Sequence, residues 1–403
     1  VTSSSPPWKL LQRTALGLGL GGVALGALII GLNLAGRSWI EQSALPQLEE
    51  NLSKSLQRKV KLGPLQTFLP WEIQVGSSSI EGLGSAEKIQ LQFNLLDILT
   101  GQKTKIALGL TRAAVTARQN ADGSWDWRKL LPTESGPSTF ILEKVQVSES
   151  KVTFYPHASA PLIFQNMAGE ALWPSQQNLT GNLEAEVSSP KMTTKGKIRA
   201  EGEVALNTLN GKLRLDLNQI PFNPGTRLFL PVQALHIDNG QATGQVNLQW
   251  KGNPTPSQWT GALNFEDTLV VIPALPRPIE KAQGNLIFKD GGITFEKTEG
   301  QYGRLSAKVA GGIQAILPGL KNGDIDTRGK YALSLTAVPT TLEAVQKTLN
   351  LTLPFPTQGK VRGTAQITGP LNSPLFQGKF QGVGPASVPI SLSSNTAPKF
   401  LWE

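Results

Sequence analysis

The sequence predicts a mainly β protein held at its N-terminus by a membrane helix. Three observations carry this. From Leu65 onward apolar residues recur at alternate positions, the period of strands with one buried face. Glycine and proline number 41 and 28 of 403 residues, which suits many short strands joined by turns. And Ala15 to Ala35 is an unbroken run of 21 residues without a charge.

That run spans roughly 31 Å as a helix, close to the ~30 Å hydrocarbon core of a bilayer. Lipid offers the backbone no hydrogen-bond partners, so a lone span of this kind must be helical. Lys9 and Arg13 precede it, whereas Arg37 and Glu41 nearly balance after it. Residues 1–14 are therefore expected as a cytoplasmic tail, residues 15–36 as a single-pass anchor in the inner (plasma) membrane, and the bulk of the chain in the periplasm. A cleaved signal peptide is the rival; its apolar region would be only about 7–15 residues long. Gly17 and Gly21, and Gly22 and Gly26, are small residues four apart, as at helix–helix contacts in membranes. Gly17, Gly19 and Gly22 also spell GxGxxG, but no strand precedes them, so a dinucleotide loop is not expected.

Residues 37–62 read as an amphipathic helix. Leu45, Leu48, Leu52 and Leu56 recur at helical spacing and form one apolar stripe. Pro46 suits a first turn, and Glu50 with Lys54 is an i,i+4 pair. Gly63-Pro64 stops the helix. It is expected to cap the next element, with a membrane-surface helix as the alternative.

Residues 63–403 carry the strands. Ile89, Leu91 and Phe93 alternate with polar residues. Ile106, Leu108 and Leu110 form one set and Ala113, Val115 and Ala117 another; the parity slips between them, as a bulge or bend requires. Val246 with Leu248, Leu286 with Phe288, Ile293 with Phe295, and Leu333 with Leu335 continue the pattern. Asn239-Gly240 and Lys289-Asp290-Gly291-Gly292 read as hairpin turns, so Leu286 and Phe288 should fold back on Ile293 and Phe295. Thr341 to Leu349 is the one helix expected in this half. A stretch from Gly240 is echoed from Gly359, 119 residues on: Gly-x-x-x-Gly, two alternating apolar residues, a Gly/Pro loop, then a Gly-led strand. A duplicated strand–loop–strand unit is the physical reading.

One-sided strands need cover, since each exposed Leu, Val or Phe forfeits about 1.5–3 kcal/mol. The sheet either closes on itself as a sandwich or barrel, or something apolar fills a trough between its walls. Periodicity does not choose between these.

Composition narrows the chemistry. The formal charge is +9, but its Lys and Arg are scattered and no basic block with interleaved aromatics occurs, so nucleic acid is not an expected partner. There is no cysteine, and the two histidines, His157 and His236, are far apart; no metal site and no cofactor are expected. Neither a Walker loop nor a Gly-x-Ser-x-Gly elbow is present, and Asp122 and Asp126 read as turn residues. The chain is not expected to be an enzyme.

The order of parts resembles a known family. An N-terminal anchor leads to a helix ending in Arg58-Lys-Val-Lys-Leu-Gly63. The leucine-rich Leu95–Gly101 follows, then Asp122-Gly-Ser-Trp-Asp-Trp127, then strands opened by glycine such as Gly284-Asn-Leu-Ile-Phe288 and Gly300-Gln-Tyr-Gly303. This resembles the N-terminal part of TamB, the translocation and assembly module protein of the AsmA-like superfamily, in a cyanobacterial or plastid-envelope form. The resemblance implies an elongated, twisted, taco-like antiparallel β-groove with an apolar interior. It also implies a function, conducting phospholipids between inner and outer membranes, with phospholipid and membrane as partners. The alternative it implies is a scaffold for assembling outer-membrane β-barrel proteins with a barrel partner of the TamA/Omp85 type. The family's C-terminal domain, which meets that partner, is not among these 403 residues, so a fragment of a longer protein is expected. By parity, Val246, Leu248, Leu286, Phe288, Ile293, Phe295, Leu333 and Leu335 are the lipid-groove candidates. Leu248→Asp or Phe288→Glu is expected to block transfer with the fold largely intact.

Overall fold

A computed structural model describes residues 41–42, 45–56, 58–69, 71–94, 104–120, 140–157, 160–175, 177–190, 195–208, 210–222, 236–252, 258–271, 277–289, 291–314, 329–349, 359–370, 373–383, 389–394 and 401–402. The protein is mainly β: one large, mostly antiparallel open sheet with few helices. The tail, the anchor with Gly17, Gly21, Gly22 and Gly26, the Leu95–Gly101 segment and the Asp122–Trp127 motif lie outside the described residues. No helix among the described residues is long and apolar enough to cross a membrane. The chain divides into two compact units, with the boundary near Leu215.

The first unit opens with helix α1 (Leu45–Leu56). Short strands follow: β1 (Val60–Lys61), β2 (Leu65–Leu69), β3 (Glu72–Val75), β4 (Ser78–Ile80), β5 (Gly84–Ala86) and β6 (Lys88–Phe93). Longer ones come next: β7 (Thr104–Thr111), β8 (Ala114–Arg118), β9 (Phe140–Tyr155), β10 (Leu162–Ser175), β11 (Asn178–Ser188), β12 (Gly196–Ala205) and β13 (Asn210–Pro221), which runs into the second unit. The helix is shorter than residues 37–62, because Val60 and Lys61 pair with Ile80 and Ser79 as a strand. Two side chains of α1 reach the returning chain. Ser53 Oγ accepts from Val60 N–H at 2.9 Å, and a Glu49 carboxylate oxygen accepts from Leu62 N–H at 3.0 Å. Leu45 packs into a core with Leu65, Ile73, Val75, Leu91, Phe93 and Ile106, so the helix caps the sheet. Not every pairing is antiparallel: β7 and β8 both pair parallel to β9, which a long connection between β8 and β9 permits.

The second unit holds β14 (His236–Asp238), β15 (Gln241–Trp250), β16 (Gln258–Val271), β17 (Ile279–Lys289), β18 (Gly292–Tyr302), β19 (Leu305–Gln314), β20 (Lys330–Thr341), helix α2 (Leu342–Leu349), β21 (Lys360–Pro370), β22 (Leu375–Gly382), β23 (Pro389–Ser394) and β24 (Leu401–Trp402). From β15 to β24 each strand pairs antiparallel with the next. The β17–β18 hairpin pairs Leu286 with Phe295 and Phe288 with Ile293, in the register its turn residues require. Asn239-Gly240 is different. Both β14 and β15 pair with β16, so these two residues make a jog along one edge of β16 instead of a reversal. Their φ angles of 61° and 76° serve that jog.

The jog belongs to a row. Gln219, Asn239, Asp267, Lys281 and Lys297 all have φ between 47° and 61° and lie on β13, beside β14, and on β16, β17 and β18. Register shifts surround Asp267, Lys281 and Lys297. In the first unit Arg112, Glu149 and Asn166 have φ of 51°, 49° and 53°, at the β7–β8 break, in β9 and in β10. Arg112 lies where the sequence parity slips. Each bulge puts one extra residue on a strand, bends it and strengthens its twist, so each row curves its unit's sheet.

The internal echo has a structural counterpart. Phe222 follows β13 and Leu342 follows β20. Phe222 N–H donates to the Gly240 carbonyl at 3.2 Å, and Leu342 N–H to the Gly359 carbonyl at 3.1 Å. In both places the residue that follows a long strand bonds a glycine that immediately precedes a later one, Gly240 before β15 and Gly359 before β21.

A candidate apolar cleft in the second unit

On β18 to β22 the inward residues fall into cross-strand rows. Gly300, Ala307, Ala337, Gly363 and Phe380 pair in succession. The next row runs through Val309, Leu335, Ala365 and Gly378, and the third through Gly311, Leu333, Ile367 and Phe376. The first two rows are dominated by glycine and alanine. Small side chains there leave the sheet face hollow, while Tyr302, Leu305, Leu335, Phe376 and Phe380 stand around the hollow. The result is a cleft of about 1020 Å³, counted out to open solvent, which these residues line together with Ile279 and Val309.

None of its lining residues carries a charge at neutral pH. Tyr302 brings a phenol; burial raises its pKa, partly offset by Arg277, whose main chain also hydrogen-bonds it. Deeper in the same face Tyr331 is buried, and this pushes its phenol up to about 12. Apolar walls with a few polar groups at the margin are the usual constitution of a small-molecule pocket.

Helix α2 closes in behind one end. Leu305 and Phe380, which line the cleft, also pack with Leu342, Val345 and Val361. The helix is fixed at both ends. Thr341 Oγ1 accepts from Ala344 N–H at 3.2 Å as its N-cap, and Thr348 Oγ1 accepts from Arg304 N–H at 3.0 Å. Glu343 and Lys347 form an i,i+4 ion pair at 2.6 Å.

The eight groove candidates share one face of the sheet, as their registers require. Only Leu335 lines the open cleft. Val246, Leu248, Leu286, Phe288, Ile293, Phe295 and Leu333 are buried, between 1% and 9% exposed. Trp259 leans on Phe288 with ring centroids 5.9 Å apart. These seven are therefore buried beside the cleft. A carboxylate at Leu248 or Phe288 would be a buried, unpaired charge, so such a variant would not spare the fold. Alternation marks the inward face; it does not tell a filled stretch of that face from a hollow one. The signal for the hollow is the run of small inward residues, Gly300, Ala307, Ala337, Gly363 and Ala365.

Among the described residues no group of three or more His, Cys, Asp and Glu is placed to hold a metal ion. No family model, no curated protein and no solved structure matches the chain.

Proposed function

We propose that the chain is a non-catalytic lipid carrier, anchored in the inner membrane through residues 15–36 and conducting phospholipids across the periplasm along its apolar sheet face. The observation that carries this reading is the cleft on β18–β22. It is lined by hydrocarbon, it opens to solvent, and it lies on the same face as the long row of buried apolar residues. An acyl chain would replace water against Leu335, Ala365 and Phe376 and gain about 0.8 kcal/mol for each methylene buried.

The test is co-purification. The full chain, extracted in mild detergent, is expected to carry phospholipid detectable by lipid extraction and mass spectrometry. Leu335→Glu places a carboxylate in the half-buried cleft wall, where water can still reach it, and is expected to remove that lipid while the β-sheet circular dichroism is kept. A lipid-free wild-type chain, or a Leu335→Glu variant as loaded as the wild type, contradicts the reading.

A further inference from the structure

One end of the first unit is an apolar point. β1 and β2 run on as one arm of a hairpin against β4 and β3, with the pairs Val60–Ile80, Leu65–Val75 and Leu69–Glu72. A two-residue turn therefore closes the hairpin between Leu69 and Glu72. Leu69 is 37% exposed, and Trp71, in that turn, is 59% exposed. The tip is braced, because Phe93 N–H, at the end of β6, donates to the Trp71 carbonyl at 3.1 Å. The acid beside it is turned aside: the Glu72 carboxylate accepts from the Gln74 and Gln92 side-chain amides, on the face opposite the buried Ile73.

Helix α1 points toward this tip. Ser53 is bonded to Val60 and Glu49 to Leu62, and Leu45 packs in one core with Leu65 and Phe93. Four residues of helix thus match about two of strand, as rises of about 1.5 and 3.3 Å require. The helix runs against the direction of the β1–β2 arm, and its N-terminal end faces the way β2 runs. The tip stands about 13 Å beyond Leu65, four strand residues on. From Gly36 to Leu45 the chain reaches at most about 32 Å, so a bilayer holding residues 15–36 lies within reach of the tip.

We propose that Leu69 and Trp71 sit in the head-group region of the bilayer, as a second membrane contact beside the anchor. The inference rests on the reading of residues 15–36 as a membrane anchor and adds to it the end by which the first unit meets the membrane. Placement selects the occupant: the exposed pair lies at the end of the unit from which the chain leads back to the anchor. The chemistry agrees with it. An indole has an apolar body and one N–H donor, and the membrane interface offers hydrocarbon to the first and ester or phosphate oxygens to the second.

The chain has no cysteine, so a single introduced one can hold a fluorescent probe. Trp71→Cys and Tyr155→Cys are labelled, and each full chain is reconstituted in phosphatidylcholine vesicles containing lipid with a nitroxide on its head group. Tyr155 is the matched control. It is 38% exposed and ends β9, whose first residue, Phe140, pairs with Thr104 at the start of β7, two residues before the Ile106–Phe93 pair. The probe at 71 is expected to lose most of its emission to the nitroxide lipid, and the probe at 155 to keep its emission. Leu69→Cys should behave as Trp71→Cys does, and it serves if that variant fails to fold. No quenching at 71 and 69, or equal quenching at 71 and 155, in chain that floats with the vesicles overturns the second contact and leaves the anchor standing. A chain that does not float with the vesicles overturns both.

Discussion

Thr268 Oγ1 donates a 2.8 Å hydrogen bond to the main-chain carbonyl of Ala282. The two residues pair across β16 and β17, and each directly follows a residue in the left-handed region, Asp267 and Lys281. Thr298 follows Lys297 and Ser150 follows Glu149 in the same way, with their hydroxyls donating to the Glu296 and Ser148 carbonyls. Five of these positions share a construction: at Arg112, Glu149, Asp267, Lys281 and Lys297 an exposed residue with positive φ is followed by a small buried residue whose hydroxyl, where it has one, bonds a main-chain carbonyl. Thr268→Val keeps the volume and strands the Ala282 carbonyl, so it should cost about 1–3 kcal/mol. Lys297→Val should cost about 1–2 kcal/mol, because a β-branched residue resists positive φ. Lys297→Asn should be close to neutral. Denaturant midpoints of the three variants check the pattern, and equal midpoints for Val and Asn at 297 would contradict it.

Two glycines hold β15 and β16 together. A Cβ on Gly244 would lie 2.1 Å from the Ala262 carbonyl oxygen, and one on Gly261 2.1 Å from that of Gln245, with φ of 152° and 139°. Either alanine substitution must push the strands apart, at an expected cost of more than about 2 kcal/mol. At Gly378 the nearest atom would be 3.7 Å away, so Gly378→Ala should change stability by less than about 0.5 kcal/mol. It would also fill part of the cleft floor and lower lipid loading. Thermal melts of the three variants, with bound lipid measured for Gly378→Ala, read both effects.

Tyr331 makes alkaline stability informative. Its phenol rises from an ordinary 10.0 to about 12 in the folded chain, through burial. The neutral form is the one the fold favours. Its contribution is complete below about pH 10 and is lost as pH rises toward 12, by at most about 2–3 kcal/mol. Urea unfolding of wild type should weaken across that window, and Tyr331→Phe should weaken less by that amount. Identical pH profiles would contradict the burial effect.

Much of the fold could be read from residues alone, and the reasons are local. Leu286, Phe288, Ile293 and Phe295 take the predicted register because a Lys-Asp-Gly-Gly turn leaves few ways to close the hairpin. Leu342 to Leu349 is a helix because the Thr341 cap precedes an apolar stripe. The break at Arg112 falls within the parity slip between Leu110 and Ala113. Asn239-Gly240 misled because the positive φ that favours a hairpin turn serves equally well in a bulge, and only the shared partner β16 distinguishes them. The other bulges were visible in outline: Phe265-Glu-Asp-Thr268 and Phe295-Glu-Lys-Thr298 each set two polar residues where alternation allows one. The cleft was harder to see. Its identity depends on Ala307, Ala337 and Gly363 lying side by side across three strands, and no single strand contains that arrangement.

The lipid-carrier reading is tested most directly by photo-crosslinking from two adjacent positions. Leu335 lines the cleft and Thr336, its neighbour, is exposed on the opposite face of β20. With a benzophenone amino acid at each position in the full chain in membranes, phospholipid adducts are expected at 335 and not at 336. Adducts at neither position, or equally at both, would contradict the cleft as the surface that carries lipid.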